Sequence, residues 1–407
     1  MDPSVPESRH PLAPYGWDAR IEAAASALEA GRVLGRVVRV ERGWDQIVVD
    51  AAAAPAIGPD LDAEPDLDTV PDLDTLPDLD TLPDGPGPHP AGAVTISVER
   101  ALGTFRAANL PPPAVGDWVE VAAGDGGPAV VGLVERRGII ARRDPAEKVS
   151  EQVVAANVDV ALLVFPLDRP LPPGRLERWL LICGEGDVEA VVVLNKSDTA
   201  EFHEEVDAVL SRVAPDVTVI RTSATSGEGI DALNRLVAER GTAVLLGESG
   251  GGKSSLVNAM ASSELARTGD VREADRKGRH TTVTRSLFPL PAGGAVIDNP
   301  GVRALGLWDA TDSLGIAYPD IETAGERCRF RDCEHQGEPG CAVAEAVRDG
   351  DIAADRLARY RRLRDEVDRT ANRRIAQERR AAKTGRPPAR RGGRASAGRK
   401  GGKRRNP

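Results

Sequence analysis

Lysine and arginine are missing from one long stretch of this 407-residue chain: none occurs between Arg42 and Arg100. Acidic residues are missing from another, the tail from Ala381 to Pro407. The formal net charge of −10 therefore averages an acidic block and a basic tail and describes neither. Cysteine is scarce. Four in a chain of this length exclude a disulfide scaffold, and three of them cluster with a histidine. Nothing approaches the roughly 20 apolar residues that span a bilayer, and the first residues lack the basic-then-apolar pattern of a secretory signal. These absences predict a cytoplasmic protein with no membrane partner, of about two to three domains by its length.

What is present is organised around Gly247-Glu248-Ser249-Gly250-Gly251-Gly252-Lys253-Ser254-Ser255. It fits the G-x-x-x-x-G-K-S pattern, with an apolar run, Ala243 to Leu246, before it and a plausible helix, Ser255 to Met260, behind it. Such a loop cradles phosphates on its backbone N–H groups; Lys253 would reach the β/γ oxygens, and the Ser254 hydroxyl would ligate Mg²⁺. A glycine-rich turn before a helix is also ordinary fold punctuation, so the weight of the motif comes from its company.

Three other segments keep that company. Asn195-Lys196-Ser197-Asp198 ends the apolar run Val191 to Leu194. The Asp198 carboxylate can accept both N–H donors of a guanine edge, a pair that adenine lacks. Thr222-Ser223-Ala224 follows the run Val217 to Ile220, where a backbone N–H could meet the guanine carbonyl. Asp298-Asn299-Pro300-Gly301 follows Gly294 to Ile297, with Asp298 suited to the Mg²⁺ shell and Gly301 to the γ-phosphate. Between phosphate loop and D-x-P-G lies a basic stretch, Arg276 to Thr282, in the position of a switch loop, where Thr281 or Thr282 would reach Mg²⁺. No glutamine follows Gly301; Val302 stands there, which predicts slow intrinsic hydrolysis.

Farther on, Cys328-x4-Cys333-x-His335-x5-Cys341 offers three thiolates and an imidazole, a closed tetrahedral shell for one structural Zn²⁺. A disulfide with a bystander histidine is the alternative.

The order of the pieces is unusual: the base-reading segments precede the phosphate loop, which is a circular permutation of the common order. In this arrangement the chain resembles the small-ribosomal-subunit-dependent GTPases, the circularly permuted assembly factors of bacteria, over roughly residues 30 to 365. The resemblance implies a fold of several domains: an N-terminal OB-fold β-barrel, a central circularly permuted α/β P-loop GTPase domain and a C-terminal zinc-binding helical module. It implies GTP hydrolysis late in maturation of the small (30S) subunit, stimulated by that subunit, with 16S rRNA as partner and a monomeric protein. It also assigns His280 to the step that glutamine performs elsewhere; a surface histidine touching RNA is the other reading of that residue. A nucleotide-sensing RNA chaperone with negligible turnover stands as the alternative function.

The rest of the chain divides accordingly. Residues 1–30 form an N-terminal extension with a helix around Trp17 to Leu28. Residues 31–143 alternate in short runs, as a small antiparallel barrel does; Arg36, Arg39, Arg42, Arg100 and Arg106 either line a phosphate-facing surface or are a solvated face. The barrel is interrupted at about 51–92 by an acidic insertion that repeats PDLDTV, PDLDTL, PDLDTL, whose prolines forbid a helix or central strand. Residues 144–310 alternate strand and helix patterns, which predicts a largely parallel sheet. Residues 311–370 hold the zinc module, with a helix from about Asp355 to Glu378 whose apolar stripe is Leu357, Tyr360, Leu363 and Val367. Residues 371–407 include a basic, disordered tail that binds RNA phosphates or serves solubility alone.

Overall fold

The computed structural model describes residues 10–41, 43–57, 90–100, 105, 110–124, 127–143, 151–199, 201–263, 285–298 and 314–383. The acidic repeat, the stretch with His280, Thr281 and Thr282, the Gly301 turn and the basic tail beyond residue 383 lie outside these residues; residues 371–383, expected within the tail, are helical.

The N-terminal extension packs into the fold. Leu12, Tyr15 and Ile21 are fully buried, and Asp18 caps α1 (Ala19–Ser26) by accepting the Ile21 N–H at 2.8 Å. Five antiparallel strands follow: β1 (Arg32–Val40), β2 (Trp44–Asp50), β3 (Ala93–Glu99), β4 (Trp118–Gly124) and β5 (Gly127–Leu133). β1 pairs with both β2 and β4, β2 with β3, and β4 with β5. β3 and β5 touch, so the sheet curls toward closure. Its inward residues include Val33, Val37, Ile47, Val49, Ile96, Val98, Val119 and Val121, the alternate positions of each strand. Gly35 is required where β1 crosses β2, since a Cβ there would sit 2.4 Å from Ile47 Cγ2.

The arginines of this region correct the sequence reading. Arg36 is neither phosphate-facing nor solvated: it is 1 % exposed, donates to the carbonyls of Tyr15, Gly116 (3.2 Å) and Asn157 (3.1 Å), and lies over the Trp118 ring. The cause is the pleat, because even-numbered β1 residues such as Leu34 and Val38 face a second core beyond the barrel. Arg100 is held by buried Asp45 at 2.9 Å, and Arg39 pairs with Glu41. Arg42 and Arg106 lie outside the described residues.

Next come a hairpin, β6 (Ile139–Arg143) and β7 (Glu151–Ala156), and then the alternating region. It comprises β8 (Val160–Pro166), α2 (Pro173–Gly186), β9 (Glu189–Asn195), α3 (His203–Val213), β10 (Thr218–Arg221), α4 (Ile230–Arg240), β11 (Thr242–Gly247), α5 (Lys253–Ala261), β12 (Arg285–Pro289) and β13 (Ala295–Asp298). Five strands run parallel in the order β10-β9-β8-β11-β13. Both faces are covered: Leu162 and Val164 of β8 pack with Leu233 of α4 and Leu256 of α5, while Ala161, Leu163 and Phe165 pack with Leu176 and Leu180 of α2.

β12 departs from the sequence reading. It lies antiparallel to β13 and continues onto β1 through Arg39↔Ser286 and Val40↔Arg285, so one sheet runs through both modules. The C-terminal module consists of α6 (Leu314–Ala317), α7 (Pro319–Gly325), α8 (Ala342–Asp349) and α9 (Ala354–Lys383). The expected stripe of α9, Leu357, Tyr360, Leu363 and Val367, is buried in the same core as α2. Among the described residues no helix is long and apolar enough to cross a membrane.

Candidate nucleotide and zinc sites

The parallel strands wind outward in opposite directions from β8 and β11, so the switch point of the sheet falls between the carboxyl ends of those two strands. Ligands of such sheets bind in that crevice. β11 is buried along its whole length and delivers the chain at Gly247, where a Cβ would meet the Val164 carbonyl at 2.8 Å. The loop from Glu248 to Gly252 turns back with Gly250 at φ +76° and Gly252 at φ +88°, backbone that glycine adopts without strain. Ser249 and Gly250 are exposed, while Gly251 is buried beneath them. Lys253 opens α5 with Ser254 and Ser255 beside it in the first turn, so unsatisfied N–H groups and the positive helix end face the crevice.

Lys253 is 9 % exposed, and its ammonium donates to the carbonyls of Gly247 (3.0 Å) and Glu248 (2.8 Å). Burial lowers its pKa below the ordinary lysine range, and the charge of Asp298 opposes that shift. Asp298, 8 % exposed at the end of β13, is close enough to Lys253 for its charge to act on the ammonium.

The base-reading segments meet the phosphate loop through one residue. Asn195, 1 % exposed at the end of β9, donates from Nδ2 to the Gly251 carbonyl at 3.0 Å and accepts the Thr222 hydroxyl on Oδ1 at 3.3 Å. A Cβ on Gly252 would lie 2.2 Å from that same Nδ2. Lys196 takes the left-handed conformation at φ +63°, and its ammonium reaches Asp168 at 2.7 Å. Ser197 bonds Glu228 at 2.6 Å, leaving Asp198 exposed with no partner among the described residues.

The Thr222-Ser223-Ala224 turn narrows an open choice. The Thr222 N–H is spent on Leu194 and that of Ser223 on Glu228, whereas the Ala224 N–H has no acceptor among the described residues. Ala224 is therefore the residue of the three whose N–H is available to a base carbonyl.

The second site lies between α7 and α8. One ligand atom from each of Cys328, Cys333, His335 and Cys341 falls within 4.8 Å of every other. His335 Nδ1 is 3.6 Å from Cys328 Sγ and 3.5 Å from Cys341 Sγ, and those two sulfurs are 4.0 Å apart. A tetrahedron with Zn–S near 2.3 Å and Zn–N near 2.0 Å has edges of about 3.5–3.8 Å, so the donor set fits one Zn²⁺. No pair of these cysteines is bonded, and the 4.0 Å between the Cys328 and Cys341 sulfurs suits two ligands of one ion better than a disulfide. Cys341 also caps α8, its sulfur accepting the Ala344 N–H at 3.4 Å.

Sequence reasoning missed the ion pairs around the crevice. Asp168 and Arg169 follow β8, Arg175 lies in the first turn of α2, and Glu248 of the phosphate loop pairs with Arg175. Their signal was positional: charged residues just past the carboxyl end of a buried strand line the crevice by construction.

A model of the family described as RsgA GTPase matches residues 133–308. The small ribosomal subunit biogenesis GTPase RsgA of Streptomyces avermitilis is 36% identical over 370 residues, covering 90% of this chain and 88% of that protein. Its namesake from Xanthomonas campestris pv. campestris is 40% identical over 280 residues, 68% of this chain and 76% of the other. Of solved structures, YjeQ from Thermotoga maritima shares the fold with a TM-score of 0.52 at 23% identity, over 83% of this chain and 98% of that one. YloQ, described as a circularly permuted GTPase, matches with a TM-score of 0.50, also at 23% identity, over 83% of this chain and 95% of that one.

Proposed function

Because this chain belongs to the family of small ribosomal subunit biogenesis GTPases, we propose that it hydrolyses GTP to GDP and phosphate during late maturation of the small (30S) subunit, which stimulates it. The observation that carries this reading is Asn195, whose one buried side chain joins a base-reading loop to a phosphate loop that follows it in sequence.

In the proposed mechanism the α5 amino terminus and Lys253 take the phosphates. Asp198 reads the guanine N–H edge and Ala224 donates to its carbonyl. Ser254, Asp298 and one of Thr281 or Thr282 would hold Mg²⁺, which when bound would supply positive charge against that of the phosphates. Gly301 meets the γ-phosphate, and His280 orients the attacking water. Lys253 gives up two loop carbonyls for phosphate oxygens, stronger acceptors, and so favours the loaded state.

The five-strand order, β1-β2-β3 with β5-β4 returning to β1, supports reading the barrel as an OB-fold, and 16S rRNA as its partner follows from the family. The protein is proposed to act as a cytoplasmic monomer. The test is GTP turnover with and without purified small subunits at matched salt, with Lys253→Ala as the blank. A large stimulation is expected; GTP-dependent binding to the subunit without stimulation would favour a nucleotide-sensing chaperone instead.

A further inference from the structure

Asp168 has no role in the mechanism above, yet it occupies the crevice. It stands two residues past β8, at the switch point, and its Oδ2 accepts the Lys196 ammonium at 2.7 Å. Burial pushes its carboxyl pKa up, but hydrogen bonds from Lys196 and Arg169 outweigh that and hold it below the ordinary aspartate value. The carboxylate thus stays charged at neutral pH.

What it holds is a strained residue. Lys196 sits at φ +63°, a conformation that costs a non-glycine residue about 1–2 kcal/mol. Directly after it the chain enters the short 3-10 turn Ser197–Thr199, which presents Asp198. Asn195 anchors the loop from below through Gly251, and Ser197 is fixed on one side by Glu228. The Ser197 N–H also donates to the Thr222 carbonyl at 3.1 Å, and the Lys196 side chain adds a tether on the opposite side, toward β8. Its anchor is continuous with the phosphate loop: Asp168 pairs with Arg169 at 2.9 Å, Arg169 lies 4.0 Å from Glu248, and Glu248 is paired with Arg175 of α2.

We propose that Asp168 is a positioning residue of the nucleotide site: by holding Lys196 it keeps the 195–198 loop, and hence Asp198, in the geometry that receives guanine. This inference rests on the guanine-nucleotide reading of the site. Preorganising a loop lowers the ordering cost of binding, so its loss weakens affinity without touching the chemical step. The pair is about one-third exposed on both sides, which limits the effect to about three- to fivefold in dissociation constant.

The full-length protein is titrated with GDP and, separately, with guanosine, which carries no phosphate. Asp168→Asn is expected to weaken both by the same factor, to raise KM for GTP, and to leave kcat at saturation unchanged; Asp168→Glu restores affinity. Lys196→Met should show the same loss, and the Asp168→Asn/Lys196→Met double variant should be no worse than Lys196→Met alone. Unchanged GDP affinity in Asp168→Asn, a fall in kcat with KM unchanged, or additive losses in the double variant would overturn the inference while leaving the site intact. Wild-type protein that binds no GDP would overturn the guanine-nucleotide reading along with it.

Discussion

Asn195, Gly252 and Lys253 meet within a few ångströms, and each answers to a different force. Asn195 is held by hydrogen bonds that nothing else can make. Asn195→Ala leaves the Gly251 carbonyl and Thr222 hydroxyl buried without that partner, at about 1–3 kcal/mol. The expected outcome is a loss of GDP affinity of about tenfold or more with a lower Tm, read by calorimetry and thermal unfolding. Gly252 is held by sterics: at φ +88°, with Asn195 Nδ2 2.2 Å from the place of a Cβ, Gly252→Ala displaces the loop. Binding of a fluorescent GDP analogue should vanish while the far-ultraviolet circular dichroism of the fold persists.

Lys253 is held against its own solvation. A lysine whose folded pKa is lowered binds its proton more weakly in the folded protein than in the unfolded chain. Stability of the nucleotide-free protein therefore rises with pH between that lowered pKa and the ordinary lysine value of about 10.4. Urea unfolding across this range should show the slope, and Lys253→Met should flatten it and raise nucleotide-free stability at neutral pH while abolishing binding.

At the scale of elements, the zinc knuckle and α8 depend on one another. Among the described residues, the loop from Cys328 to Cys341 contains Phe330 as its large apolar side chain, and Phe330 is 44 % exposed. The loop therefore owes its shape to the four ligands, to the Cys341 cap of α8, and to Glu338, which accepts the N–H groups of Glu334 (2.9 Å) and Gln336 (2.7 Å). Metal analysis should give one zinc per chain. Chelation should unfold the knuckle, lower the Tm and shift the emission of Tyr318 and Tyr360, whose rings pack edge to face beside it, while GDP binding survives. Simultaneous loss of GDP binding would show instead that the nucleotide domain leans on the knuckle.

At the scale of the molecule, α2 joins the nucleotide domain to the zinc module by a buried ion network. Glu177, fully buried, accepts Arg356 at 2.9 Å and Arg359 at 2.8 Å, while Arg356 also bonds Asp320 at 2.7 Å and lies over the Tyr318 ring. Glu177→Ala strips the fully buried carboxylate from two arginines, which keep only the more exposed Asp320 and Asp355, and is expected to cost up to about 3–5 kcal/mol. The partly exposed Arg178 to Glu366 pair, one residue along the same helix, should cost about 0–1 kcal/mol when Arg178 becomes Ala. Chemical denaturation of both variants measures the contrast, and equal effects would mean that the buried network is not the clamp.

The sequence by itself determined whatever rests on local chemistry. Phosphate loop, N-K-x-D and zinc ligands were legible because each needs particular atoms at fixed spacing, and β1 to β5, β8 to β11 and α9 because apolar periodicity reports which face is buried. Tertiary structure alone decided which surfaces met. No pattern announces that Arg36 of β1 turns inward to three carbonyls, that β12 carries the sheet onto β1, or that of Thr222, Ser223 and Ala224 it is Ala224 whose N–H has no acceptor among the described residues. Nor does any pattern pair Glu177 with Arg356, which stands 179 residues away. Such pairings depend on how whole elements stack, and a charged residue on a helix reads the same in sequence whether its partner is water or a buried carboxylate.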